Sequence, residues 1–146
     1  MLWGWGVDGN KKSDYKKSES QTMKFLNDNT DKLNNLAQEY LIDHNLESKK
    51  YKIVYLIAYR DIDDIHNEKL ETVQFECGSQ GMLGGQYWGL LYIPDNHYLG
   101  EKDLYIYNEH QEKGNGNNIF IRKKLKDNWF FYYDDYDGKI NINDVK

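Results

Sequence analysis

Asn128-Trp129-Phe130-Phe131-Tyr132-Tyr133 runs straight into Asp134-Asp135-Tyr136-Asp137-Gly138. Side chains alternate faces along a strand, so five consecutive aromatic residues can bury a ring on both faces. The acidic turn that follows is the one segment resembling a known ligand-binding loop. Just upstream, Ile119 to Leu125 is strand-like, and Lys126-Asp127-Asn128 joins it to Trp129 to Tyr133 as a hairpin.

Further upstream the period of two recurs. Lys52 to Tyr59 reads as a strand with apolar residues on both faces, which predicts a central position. Glu71 to Cys77 alternates, with Gln74 and Glu76 facing water. Gly78 to Gly85 reads as a Gly-rich loop. Tyr87 to Ile93 is a strand closed by Pro94-Asp95-Asn96, Leu104 to Tyr107 is a short strand, and Gly114-Asn115-Gly116-Asn117 is a turn. No helical pattern separates these strands, so they predict a mostly antiparallel meander.

Ahead of them, Leu26, Leu33, Leu36, Ala37, Tyr40 and Leu41 recur at helical spacing. They predict a helix over Ser20 to His44, with a capping box of Ser18 and Gln21, and Asn45 as the C-terminal cap. Asn27-Asp28-Asn29-Thr30-Asp31 is poor helix material and marks a break or kink. Residues 1–17 read as a flexible lead, 18–137 as a single α+β domain, and 138–146 as an acidic tail or final short strand. The expected fold is one N-terminal helix packed on a twisted, mostly antiparallel sheet of about five or six strands.

The 146 residues suit one domain. Apolar residues are only 39%, but 13 Tyr and four Trp supply buriable area and argue against disorder. The net charge of -5 disfavours nucleic-acid and anionic-membrane partners. No stretch approaches a membrane span of about 20 apolar residues. The basic residues are nearly all lysine; only Arg60 and Arg122 are arginine. The one cysteine, Cys77, alternates with Val73 and Phe75 and reads as a buried core residue.

The acidic turn is the first candidate for chemistry. With Gly138 at the sixth position of an EF-hand-type loop, Asp135 falls third, Asp137 fifth, Asn141 ninth and Asp144 twelfth. That resembles the calcium loops of dockerin-like modules and makes calcium the one cofactor considered. The first position is Tyr133, which has no carboxylate, so an Asp-Gly turn is the simpler reading. Asp61, Asp63, Asp64 and His66 form a second acidic cluster, which reads as a solvated loop. His44, His66, His97 and His110 show no metal-ligand spacing, and no motif flanks a Cys77–His catalytic pair. The Gly-rich loop lacks a phosphate-cradle pattern. Tyr87, Trp88, Tyr92, Tyr105, Tyr107 and Tyr132 are candidate binding residues, because rings with hydroxyls suit sugars and protein interfaces alike.

Phe75-Glu76-Cys77-Gly78, Tyr87-Trp88-Gly89-Leu90-Leu91-Tyr92-Ile93-Pro94-Asp95, Gly116-Asn117-Asn118-Ile119-Phe120 and Asn128-Trp129-Phe130-Phe131-Tyr132 together look like a motif set. The order and spacing over roughly residues 70–133 resemble a group of small uncharacterised proteins from low-GC Gram-positive bacteria. The resemblance carries no activity and no functional residues. It implies a short hydrophobic anchor ahead of the helix and hence an extracytoplasmic domain; the sequence as given carries no such segment and reads as cytoplasmic.

The leading expectation is a non-enzymatic interaction domain with a protein partner, of which an immunity-type inhibitor of a toxin is one concrete form. An acidic chain would suit a basic partner. The alternatives are a calcium- or carbohydrate-binding module and a small enzyme using His66 or Cys77. Nothing in the sequence fixes the oligomeric state.

Overall fold

The computed structural model describes residues 14–46, 54, 56–63, 68–81, 85–94, 102–110 and 117–146. Two helices come first, α1 (Tyr15–Asp28) and α2 (Thr30–Ile42). Six strands follow: β1 (Leu56–Ile62), β2 (Lys69–Gln80), β3 (Gln86–Tyr92), β4 (Leu104–His110), β5 (Asn117–Lys126) and β6 (Trp129–Asp135). A 3-10 turn, Ile142–Asp144, lies near the C-terminus. The class is α+β, with six strands and all pairings antiparallel.

The single expected helix is two. Asn29 leaves helical geometry (φ -131°, ψ 23°). Its side chain donates to the Phe25 carbonyl at 2.9 Å, and Thr30 Oγ1 donates to the Leu26 carbonyl at 2.6 Å. These side chains satisfy carbonyls that the end of α1 would leave open, so the break costs little. The capping box expected from Ser18 and Gln21 is absent. Helix α1 begins earlier, and Ser18 sits inside it with Oγ donating to the Asp14 carbonyl at 3.0 Å. Helix α2 ends at Ile42, with Asp43 rather than Asn45 at its C-cap.

The sheet order β1-β2-β3-β6-β5-β4 corrects the simple meander. Two three-stranded meanders lie side by side, joined through β3 and β6. The link between β3 and β4 therefore takes the chain from the sheet centre to its far edge. Strand β1, expected in the centre, is an edge: Leu56 and Ile62, its apolar ends, are 43% and 42% exposed. Residues 52, 53 and 55 of that expected strand lie outside the described residues. Part of the expected Gly-rich loop is strand, since β2 runs on to Gln80.

Strand β6 buries every residue, with its rings on both faces. Trp129, Phe131 and Tyr133 join the cores beneath the helices, while Phe130 and Tyr132 pack with Leu91 and Ile93 on the other side. The first core joins Leu26, Leu33, Leu36, Ala37 and Tyr40 to Val73, Phe75, Cys77, Leu90 and Trp129. In the second, Tyr15 meets Phe131 and Tyr133 edge-on at 5.5 and 5.3 Å, with Ile140 and Val145 beside them. Those two residues anchor the C-terminal segment.

Glycine is required at one central point. Strand β2 bulges between Glu76 and Gly78 against β3, and a Cβ on Gly89 would stand 1.9 Å from the Phe75 carbonyl oxygen. The β5–β6 hairpin turns on Asp127 and Asn128, as expected, with Asn128 at φ 69°. The Asn128 side chain donates to the Ile93 and Pro94 carbonyls, stitching this turn to the end of β3.

Candidate functional site

The helices cover one face of the sheet, and the candidate site lies on the other. Along β6 the residues facing away from the helices are Phe130, Tyr132 and Asp134; on β5 they include Phe120 and Arg122. Register brings Gly89, Tyr132, Arg122 and Tyr105 into one row, and Tyr87, Asp134, Phe120 and Tyr107 into the next.

The first row leads into a polar pocket lined by Arg60, Asp63, Thr72, Gln74, Arg122, Tyr132 and Asp134, with Ile62 and Leu91 as its apolar wall. Its volume is about 20 Å³, room for one water-sized group. Four strand spacings of about 4.8 Å separate β1 from β5; the two long guanidinium side chains and the twist of the sheet close that gap. Arg122 is 3% exposed and pairs with Asp134, and its guanidinium lies 5.5 Å from the Tyr132 ring centre. Arg60 Nη1 donates to Gln74 Oε1 at 3.3 Å, and Gln74 Nε2 donates to the Tyr132 hydroxyl at 3.0 Å. Burial pushes the Tyr132 phenol well up, so it stays protonated.

The second row is aromatic. Tyr107 stacks on Phe120 at 6.2 Å, Phe120 meets Tyr136 edge-on at 5.6 Å, and Tyr136 meets Tyr87 edge-on at 6.1 Å. Tyr136 is 45% exposed, while Tyr87 and Tyr107 are half-buried. Glu109 and Asp137 are exposed and lie near the two ends of the row, on β4 and beyond β6.

The six aromatic residues singled out from the sequence do not form one surface. Tyr87, Tyr105, Tyr107 and Tyr132 face away from the helices. Trp88 and Tyr92 lie on the helix side: Trp88 stacks on Tyr133 at 5.7 Å, and the Tyr92 hydroxyl accepts from Gln38 at 2.9 Å. Tyr92 also helps line a groove between α2 and the hairpin, with Thr30, Asn34, Gln38, Lys126 and Trp129. The polar side chains there bond one another: Trp129 Nε1 donates to Asn34, and Lys126 donates to Thr30 and Asn27. That groove has a volume of about 470 Å³.

The acidic turn is organised by hydrogen bonds. The buried Asp135 carboxylate accepts from the Asp137 amide at 3.0 Å, the Ile140 amide at 2.7 Å and Gln86 Nε2 at 2.9 Å. Asp137 is exposed and accepts from Gln86, while the Asn141 side chain accepts from the Asn143 amide at the start of the 3-10 turn that holds Asp144. Gly138 has φ 63°, which suits the turn. Among the described residues, no group of three or more His, Cys, Asp or Glu side chains is placed to hold a metal ion. In the second acidic cluster, Asp61 is exposed and Asp63 is buried at the pocket; Asp64 and His66 lie outside the described residues.

Cys77 is buried on the helix side, and burial first, then Glu76, pushes its thiol up to about 12. A thiol so held is a poor nucleophile. His44 stacks flat on Tyr59 at 3.5 Å.

The pocket residues Arg60, Gln74, Arg122 and Asp134 were not candidates on sequence. One signal pointed to them: they include both arginines of a lysine-rich chain. Among the described residues, no helix is long and apolar enough to cross a membrane. Comparison with protein-family models, with curated proteins and with solved structures found no match.

Proposed function

We propose that this chain is a non-enzymatic interaction domain that meets a basic protein partner across the sheet face opposite the helices. The observation that carries this reading is the row Tyr87, Tyr136, Phe120 and Tyr107, which spans the central and outer strands on that face. Aromatic side chains offer large contact area at low conformational cost, and hydroxyls at the rim tolerate water before docking. Exposed Glu109 and Asp137 and the net charge of -5 give the surface its complement in a basic partner. An immunity-type inhibitor of a basic toxin fits this description. The protonated Cys77 thiol, away from that face, favours binding over nucleophilic chemistry. The motif resemblance to small Gram-positive proteins fits the same reading and adds no activity.

The test places a photo-crosslinking phenylalanine analogue at position 136 in the source cell. The expected product is an adduct with one basic protein, weakened by salt and lost when Tyr87 and Tyr107 are both changed to serine. An adduct unchanged by those substitutions, or one formed only from an analogue at Lys16 on α1, would overturn the proposal.

A further inference from the structure

We infer that the groove between α2 and the β5–β6 hairpin binds a neutral saccharide, a site separate from the aromatic row. The groove holds about 470 Å³, a volume typical of small-molecule sites. Thr30, Asn34 and Gln38 stand four residues apart on α2, so they form one row that spans about 12 Å. Residues 126–129 of the hairpin make the facing wall, and Tyr92 at the end of β3 completes the lining.

Hydrogen bonds hold the two walls together, and each spends one function of a side chain while leaving another. An indole N–H only donates, so Trp129 Nε1 holds the Asn34 amide with its oxygen toward Trp129 at 2.8 Å. The Asn34 Nδ2 hydrogens then have no acceptor among the described residues. Gln38 Nε2 donates to the Tyr92 hydroxyl at 2.9 Å, which leaves Gln38 Oε1 to accept and the Tyr92 hydrogen to be given. Asp127 is exposed at the hairpin turn, and its carboxylate has no donor among the described residues. Donors from Asn34 and Tyr92 therefore line the same groove as acceptors from Gln38 and Asp127. Water serves these groups until a ligand displaces it.

The lining selects against an ion. Lys126 Nζ is spent on Thr30 at 2.7 Å and Asn27 at 3.2 Å, and Asp127 beside it carries the opposite charge. Trp129 and Tyr92 are buried, with their rings in edge contact at 5.0 Å, so little ring surface reaches the groove. That suits the C–H groups of a sugar ring better than a large apolar side chain of a peptide. A hydroxyl both donates and accepts, so neighbouring sugar hydroxyls can meet Asn34, Gln38 and Tyr92 together. A vicinal pair of hydroxyls can donate to both Asp127 oxygens. The row on α2 is long enough for two linked sugar rings.

The probes are maltose, cellobiose, lactose and N,N′-diacetylchitobiose, each titrated into the full chain, with a terminally blocked Gly-Ser-Gly-Ser peptide as the competing class. NMR reads the Trp129 indole N–H and the Asn34 and Gln38 side-chain amides. At least one disaccharide should shift these signals saturably, with Kd in the millimolar range or tighter and about tenfold preference over the weakest of the set. Gln38→Ala and Asp127→Ala, both at exposed positions, should each weaken that binding about tenfold, whereas Tyr107→Ser on the other sheet face should leave it unchanged. No saturable shift with any disaccharide, equal binding of all of them, or binding that survives both alanine substitutions would overturn the inference. Tighter binding of the peptide than of every disaccharide would overturn it too and make the groove a peptide site. The crosslink from position 136 does not involve this groove, so either proposal can fail alone.

Discussion

Replacing Asp135 with alanine separates a structural turn from a metal loop. Its carboxylate accepts three hydrogen bonds, from the Asp137 and Ile140 amides and from Gln86 Nε2. Asp137 is exposed, so water can replace its bond. The bonds to Ile140 and Gln86 are buried, and each donor left without an acceptor costs about 1–3 kcal/mol. Two such donors give a loss of about 4 kcal/mol. At about 3 °C per kcal/mol for a chain of this size, Tm should fall by about 12 °C. Asp135→Asn keeps one acceptor oxygen and should lose about half as much. Asp137→Ala removes one bond of 3.2 Å from an exposed group and should stay within about 1 kcal/mol. Thermal unfolding in EDTA and in millimolar calcium reads all three variants. The reasoning requires the order Asp135→Ala, Asp135→Asn, Asp137→Ala in both buffers. A calcium-dependent rise in the wild type that Asp137→Ala and Asp144→Ala abolish would refute it and restore the calcium loop.

Three other outcomes are expected. Gly89→Ala drives a methyl into the Phe75 carbonyl at a bulge between central strands, so urea titration should show a loss of about 3 kcal/mol or more, or no folded protein. Asp134→Ala strips the buried Arg122 of its carboxylate and should cost about 3–5 kcal/mol, whereas Arg122→Met with Asp134→Leu should stay near wild type in the same titration. Equality of the single and double variants would count against a desolvated pair. Alkali should destabilise the fold. The Cys77 pKa is raised from 9.0 to about 12, so its contribution is complete below pH 9 and is lost as pH climbs from 9 toward 12. Burial also raises Tyr15 and Tyr132, which extends the loss above pH 10. Cys77→Ala should flatten the stability slope between pH 9 and 12 by about 1.4 kcal/mol per pH unit; an unchanged slope would contradict the burial argument.

The two faces of the molecule divide its labour. The helix side holds most of the apolar core. Lys123 on β5 reaches Glu19 on α1 at 2.8 Å, and Tyr15 donates to the same carboxylate, so a helix is tied to an outer strand. The opposite face carries polar and half-exposed groups over a smaller apolar cluster. A buried ion pair there, Arg122 with Asp134, is costlier than apolar packing of the same shape.

The sequence alone determined what depends on local order. Strand alternation identified β2, β3, β5 and β6 within a few residues, because side-chain period is a property of the extended backbone. The hairpin at Asp127-Asn128 and the break near Asn29 followed from short-range hydrogen bonding, and the burial of Cys77 from its place beside Val73 and Phe75. Tertiary structure decided which strands are central. Apolar residues on both faces looked alike in β1 and β6, yet only β6 is flanked by partners on both sides. It decided that Trp88 and Tyr92 lie under the helices while Tyr87 and Tyr107 do not. It also brought Arg60 to Arg122, which no spacing announces, because two strands four steps apart meet only through the register and twist of the whole sheet. Local periodicity sets the face a side chain takes; which distant side chain shares that face depends on pairings that only the assembled sheet defines.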